Sequence, residues 1–186
     1  MIQEKRYSSD KVLIFDVDDT LLISNAKIKV KDQKTGQSFE LTPAQFNEYQ
    51  KNDGHIVSFE QFSSLEIMKG GKLINKYFNI LKRNYKQGIA IGIVTARSDR
   101  NLIYECFRYH VGFHIDRPLV WAVNDPEHGL SGSIQERKKE ALRWFIQQGY
   151  TDITFFDDDK NNLKLAKQLD REIPTIKIKT HLAKHK

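Results

Sequence analysis

Three carboxylates, Asp16, Asp18 and Asp19, fall within four positions directly behind the apolar run Val12–Phe15, in the stretch VLIFDVDDTLL. Acids crowded at the end of a buried strand repel one another and lose hydration, so the segment needs a compensating positive charge. In an extended chain Asp16 and Asp18, two positions apart, point the same way, and Asp19 points away from them. Two carboxylates on one side of a strand end suit a hard divalent cation such as Mg²⁺, which takes one or two carboxylates together with waters and phosphate oxygens. Taken alone, the stretch also reads as an acidic turn in which Asp19-Thr20 starts the next segment.

A second cluster repeats the design. ITFFDDDKNN is again an apolar strand, followed by Asp157, Asp158 and Asp159. In a parallel sheet both strands end at the same edge, so the two acidic groups can converge on one ion; Asp159 is placed to cap the helix that follows. IVTARSD adds Thr95, a hydroxyl at the same edge, and Arg97, whose fork of donors suits phosphate. SIQERKKEALRWF supplies two lysines. Lys138 shares a helical face with Ala141, Leu142 and Phe145 and so can run along the core and reach inward, whereas Lys139 looks outward.

These side chains need a scaffold that brings strand ends together. Runs suited to buried parallel strands recur at Val12–Phe15, Ile89–Val94, Leu119–Val123, Ile153–Phe156 and Thr175–Ile178. Helical patterns alternate with them at Lys72–Lys86, Arg100–Tyr109, Glu136–Gln148 and Asn161–Asp170, with Gly88 and Gly149 as stops. The alternation predicts a doubly wound α/β sheet whose ligand crevice lies outside the carboxyl ends of the strands. Residues 24–71 break the rhythm. Ala26–Val30 and Ser38–Leu41 read as a β-hairpin around KDQKTGQ, and TPAQFNEYQ opens a short helix with Thr42 as N-cap and Pro43 at its first position. This segment is too short for a separate core and is read as a flap inserted into a single domain. The tail KIKTHLAKHK is basic and expected to fray.

The 186 residues suffice for one substantial core, and 39% hydrophobic with 29% charged residues fits a soluble globular chain. No apolar run approaches a membrane span, and MIQEKRYSSD has no signal-peptide character. The lone Cys106 excludes an intramolecular disulfide, in keeping with a cytoplasmic setting. A net charge of +6 favours anionic partners, including phosphate compounds and nucleic acid. His110 and His114 straddle Gly112 and read as surface or capping residues. Trp121, Trp144, Phe155 and Cys106 read as core.

Taken in order, DVDDT at 16–20, Thr95, Lys138 (or Lys139) and DDDKNN at 157–162 resemble the four motifs of the haloacid dehalogenase (HAD) superfamily of phosphohydrolases. The resemblance implies a Rossmann-like, HAD-type parallel sheet and Mg²⁺-dependent phosphomonoester hydrolysis through an aspartyl-phosphate on Asp16. It implies Asp18 as the acid–base partner, its main-chain carbonyl also on the metal, and Asp158 as the other metal ligand with Asp157 supporting it. Thr95 and Lys138 would hold the phosphate oxygens. Asp19 stands where most members carry glycine, and Asn162 replaces the distal acid of the fourth motif. More narrowly, TARSD, KKEALRW and FFDDDK are similar to the 3′-phosphatase domain of phage-type polynucleotide kinase–phosphatases, without a kinase loop. That points to a nucleotide or nucleic-acid 3′-phosphate as substrate. A sugar phosphate or mononucleotide needs only the same catalytic core. A phospho-accepting receiver and a catalytically silent nucleic-acid-binding domain are the rivals from other classes. The receiver would carry its phosphorylated Asp on a middle strand, where this chain has Thr95.

Overall fold

The computed structural model describes residues 9–112 and 115–184, which leaves His114 outside the described residues. Along the chain run β1 (Lys11–Phe15), β2 (Leu22–Ile23), β3 (Ile28–Asp32), β4 (Ser38–Leu41), α1 (Pro43–Glu48) and β5 (His55–Ser58). They are followed by α2 (Leu65–Lys69), β6 (Lys72–Leu73), α3 (Asn75–Lys86), β7 (Ala90–Thr95), α4 (Arg100–Val111) and β8 (Val120–Ala122). The chain then forms α5 (Ile134–Gln147), β9 (Asp152–Asp157), α6 (Lys160–Glu172) and β10 (Lys177–Leu182).

Five strands make a parallel sheet in the order β10-β9-β1-β7-β8. Both faces are covered over β1, β7 and β9, which is why these strands are near-continuous buried runs, whereas the edge strand β10 alternates exposed and buried residues. On one face Phe15 stacks on Phe156 at 4.6 Å, and Tyr77 of α3 meets Phe156 edge-on. On the other, Phe145 of α5 fills the space over Gly92, where an added Cβ would sit 2.6 Å from its ring. The chain winds outward from β1 to β8 over α3 and α4. It then returns to the opposite side of β1 through α5, placing β9 there. The crevice between the carboxyl ends of β1 and β9 is therefore the topological switch point of a Rossmann-like α/β sheet.

Local sequence explains where the helices begin. Thr42 and Ser133 each form a reciprocal capping box, with Gln45 and Glu136, while Asp99 and Asp159 cap α4 and α6. Most boundaries differ from the sequence reading by a residue or two, and three of the differences have evident causes. α3 starts at Asn75 because Lys72 and Leu73 pair with β2. The last strand is shifted to Lys177–Leu182, so most of the basic tail is ordered as a β-strand on β9 instead of fraying. β8 is shorter than Leu119–Val123, its first residue belonging to a 3₁₀ turn over Arg117–Leu119.

The insertion holds more structure than a hairpin and a helix. β4, β3 and β5 form a three-stranded antiparallel sheet, with β5 on the far edge of β3. HIVS of β5 carries no clean alternation, and without it no third strand is legible in sequence. The β2–β6 pair, Leu22↔Leu73, clamps the base of the insertion to the body. Val30 is fully buried, but Phe39 and Phe59 stay 39% and 50% exposed, so the flap has only a half-formed aromatic core of its own. Among the described residues no helix is long and apolar enough to cross a membrane.

Candidate active site

The main chain leaves β1 at Phe15, and Asp16 N–H still donates to Phe156 O of β9. A tight turn follows, with the amides of Thr20, Leu21 and Leu22 converging on Val17 O. Asp16 is buried beneath this turn. Lys138 reaches the crevice from α5 and lies 3.0 Å from Asp16 Oδ1 and 2.8 Å from Asp157 Oδ2. Lys138 is 3% exposed, an unusual depth for a lysine and one tolerated only because both acids face it. Lys139 instead pairs with Glu172 at the rim, so only Lys138 belongs to the acidic centre.

Asp157 is fully buried, and both of its oxygens are taken. Oδ1 accepts from Asp159 N–H and Asn162 Nδ2, and Oδ2 accepts from Lys138 Nζ and Asn162 Nδ2. It is thereby fixed as a support. Asp158 is exposed at the mouth, and one oxygen each from Asp16, Asp157 and Asp158 lies within 4.8 Å of the others. Such a cluster can bind a metal ion.

The electrostatics show the same need. Burial pushes the Asp16 carboxyl well above the usual range; Lys138 pulls it back, and Asp157, Asp18 and Asp158 add to the rise. Although Asp158 is exposed as a residue, enough protein surrounds its carboxyl for desolvation, together with Asp157 and Asp19, to push it up to about 6. Burial opposes the charge on Lys138, but Asp16 and Asp157 outweigh it and hold its pKa above the ordinary lysine value. The Lys138 ammonium lies beside Asp16 Oδ1 at ion-pair distance but is poorly aligned for a hydrogen bond, and no other donor meets this buried oxygen among the described residues. One ammonium does not balance these acids. The donor set of oxygens, the under-satisfied Oδ1 and the crowded charge fit a hard divalent cation held by Asp16 and Asp158.

Arg97 grips Asp18 with one two-pronged fork, Nε on Oδ2 and Nη2 on Oδ1, each at 2.8 Å. The remaining guanidinium nitrogen, Nη1, donates to Phe62 O of the flap at 2.6 Å. Arg97 is 6% exposed. The sequence reading aimed this fork at a substrate phosphate, whereas the structure spends it on Asp18 and the flap. Thr95 ends β7 fully buried at the same edge. Arg100 pairs with Glu127.

Asp19 also departs from expectation. Extended backbone stops at Phe15, and Asp19 has φ 56°, in the left-handed region. Its side chain therefore does not point away: it borders the same cavity as Asp18, and its charge is felt at Asp158. A left-handed residue costs about 1–2 kcal/mol unless it is glycine, with Asp and Asn the best tolerated of the rest. Asp19→Gly should therefore melt at or above the parent and Asp19→Val several degrees below it, by calorimetry. A valine variant as stable as the parent would mean the turn is not held in this form.

Between flap and body lies a cavity of about 1090 Å³ that includes Asp18, Asp19 and Arg97 in its wall, with Phe46, Phe59 and Phe62 on the flap side. None of these aromatic residues was singled out in the sequence, because their meeting depends on how the insertion folds back. Of the residues read as core, Phe155 is fully buried, while Trp121 and Trp144 pack partly buried against the core. Cys106 is buried, which pushes its thiol up to about 11. His110 lies half-buried in the last turn of α4. No family model matches the chain, and no curated protein matches it.

Proposed function

We propose that this protein is an Mg²⁺-dependent phosphomonoesterase of the HAD type that works through an aspartyl-phosphate on Asp16. The observation that carries the reading is the buried Asp16–Lys138–Asp157 arrangement at the switch point, with Asp158 at its mouth. A purely structural ion pair needs one acid for its cation, whereas Asp16, Asp157 and Asp158 gather around one buried ammonium.

In this reading Asp16 attacks phosphorus in line with the ester oxygen, and the P–O bond to the leaving group breaks as the bond to Asp16 forms. Asp18 gives its proton to the departing alkoxide and later takes one from the water that cleaves the aspartyl-phosphate. Thr95 and Lys138 hold the non-bridging oxygens, Lys138 turning to phosphate part of the charge it otherwise spends on Asp16. Asp157, saturated by Asn162 and Asp159 N–H, keeps Lys138 charged and oriented. Asp16, Asp158 and the Asp18 carbonyl would hold the Mg²⁺, which would supply charge neutralisation to the reacting groups when bound.

For the substrate we take a nucleotide or nucleic-acid 3′-phosphate. The +6 charge and the large cavity beside Asp18, walled in part by phenylalanines, support an alcohol leaving group that is large and contains flat rings. The test is kcat/KM for a 3′-phosphorylated oligonucleotide, 3′- and 5′-mononucleotides, sugar phosphates and p-nitrophenyl phosphate, each with Mg²⁺ and with chelator, at two salt concentrations. Metal-dependent turnover of all esters, with a salt-sensitive preference for the oligonucleotide, is expected. Turnover unaffected by chelator would end the HAD reading, and a salt-insensitive preference for a sugar phosphate would end only the nucleic-acid assignment.

A further inference from the structure

Arg97 occupies a position for which phosphate binding gives no account. It is almost fully buried, its Nε and Nη2 lie flat against both oxygens of Asp18, and its Nη1 is spent on the main-chain oxygen of Phe62. Nη2 also reaches Ser24 Oγ at 3.5 Å, and the guanidinium carbon lies 5.6 Å from the centre of the Phe62 ring. Ser24 and Phe62 both belong to the inserted flap. One planar cation therefore joins three parts of the molecule: the strand end that carries it, the turn that carries Asp18, and the flap.

We infer that Arg97 is a positioning residue that sets the orientation of Asp18 for the water-activating half of the reaction and takes its own position from the flap through Phe62. The inference rests on the phosphatase reading and gives a different role to a residue that pattern alone assigns to substrate. A fork fixes the plane of a carboxylate, which a single ammonium cannot do. In the second half-reaction water attacks phosphorus, its proton passes to Asp18, and the P–O bond to Asp16 breaks with its electron pair returning to the Asp16 carboxylate. That step needs a small, mobile nucleophile aligned by Asp18 alone. An activated aryl ester leaves as a stable phenolate without a proton, so the first half-reaction on such an ester asks little of Asp18.

The two halves should therefore separate. Rapid-mixing kinetics with p-nitrophenyl phosphate and Mg²⁺ would be recorded for the parent, Arg97→Gln, Arg97→Lys and Phe62→Ala, with melting curves to verify folding. Arg97→Gln should release about one nitrophenol per protein in a fast burst, because formation of the covalent intermediate is preserved. Its steady-state rate should then fall by about 10²-fold, the scale of a displaced general base. Arg97→Lys should fall between it and the parent. Phe62→Ala leaves the Arg97–Asp18 pair and the main-chain acceptor in place but removes the ring that packs on the guanidinium, and should give a smaller burst of the same kind. If Arg97 instead binds substrate phosphate, the variants would raise KM and show no burst, and the inference fails. A Phe62→Ala protein with the parent's ratio of burst to steady state would overturn the part of the Phe62 ring in holding Arg97. Absence of any turnover by the parent would remove the phosphatase reading itself, a result distinct from both.

Discussion

Asp16→Asn is expected to abolish phosphate-ester hydrolysis while the protein stays folded and becomes no less heat-stable without metal. Asparagine keeps the shape of the side chain but offers no carboxylate to attack phosphorus, so turnover should fall by about 10⁴-fold or more, the scale on which nucleophile deletions act. The stability half follows from charge. Burial raises the Asp16 pKa on folding, with Asp157, Asp18 and Asp158 adding to the rise. An acid whose pKa is raised by folding opposes the folded state at pH above its ordinary value, and that opposition disappears once the pH falls below that value. Asparagine removes the opposition at neutral pH, and Lys138 keeps Asp157 as its partner. The same change deletes a ligand, so the rise in melting temperature that Mg²⁺ gives the parent should shrink in the variant. Turnover and metal-dependent melting measured on the two proteins check both halves. Hydrolysis that survives the substitution would remove Asp16 as nucleophile.

The acids themselves were readable because the pattern that announces them is local. An apolar run ending in clustered carboxylates appears twice, at Phe15–Asp16 and Phe156–Asp157, and a parallel sheet sets both ends at one edge. Lys138 was readable for a similar reason, since the helical period puts it in line with Ala141, Leu142 and Phe145, all of them buried. What failed to show was geometry created by turns and long-range folding. Strand alternation sent Asp19 away from the site, but alternation ends with the strand, and a left-handed residue turns the side chain back. Arg97 had the right chemistry for phosphate, and nothing in TARSD reveals that Asp18, 79 residues earlier, and Phe62, 35 residues earlier, would occupy its donors. β5 was lost because its pairing partner β3, and not its own sequence, makes it a strand.

The larger structural effect is expected at Lys138. Lys138→Met preserves the length and apolar stem of the side chain and removes the charge between Asp16 and Asp157, leaving two buried carboxylates facing each other. Removing one partner from a buried ionic cluster costs about 3–5 kcal/mol, and at about 2–4 °C per kcal/mol for a chain of this size the melting temperature should drop by roughly 10 °C. The folded-state pKa of Lys138 is raised, so its contribution is complete at every pH below the ordinary lysine value and is lost only as the pH climbs through the folded one. The deficit should accordingly be the same at pH 7 and pH 9. Lys139→Met is the matched control. Its partner Glu172 is exposed and also held by Arg143, so the change should cost no more than about 1 kcal/mol. Metal separates a merely structural lysine from one that shares its acids with a cation. If Mg²⁺ binds Asp16 and Asp158, it replaces part of the positive charge that Lys138→Met removes, and added Mg²⁺ should recover several degrees in that variant and almost none in Lys139→Met. Turnover should not recover with it, because the phosphate oxygens have lost their ammonium. A Lys138→Met protein that melts with the parent would mean that the buried acids do not depend on this lysine. One that loses stability but gains nothing from Mg²⁺ would mean that the cluster is a closed salt bridge with no place for a cation.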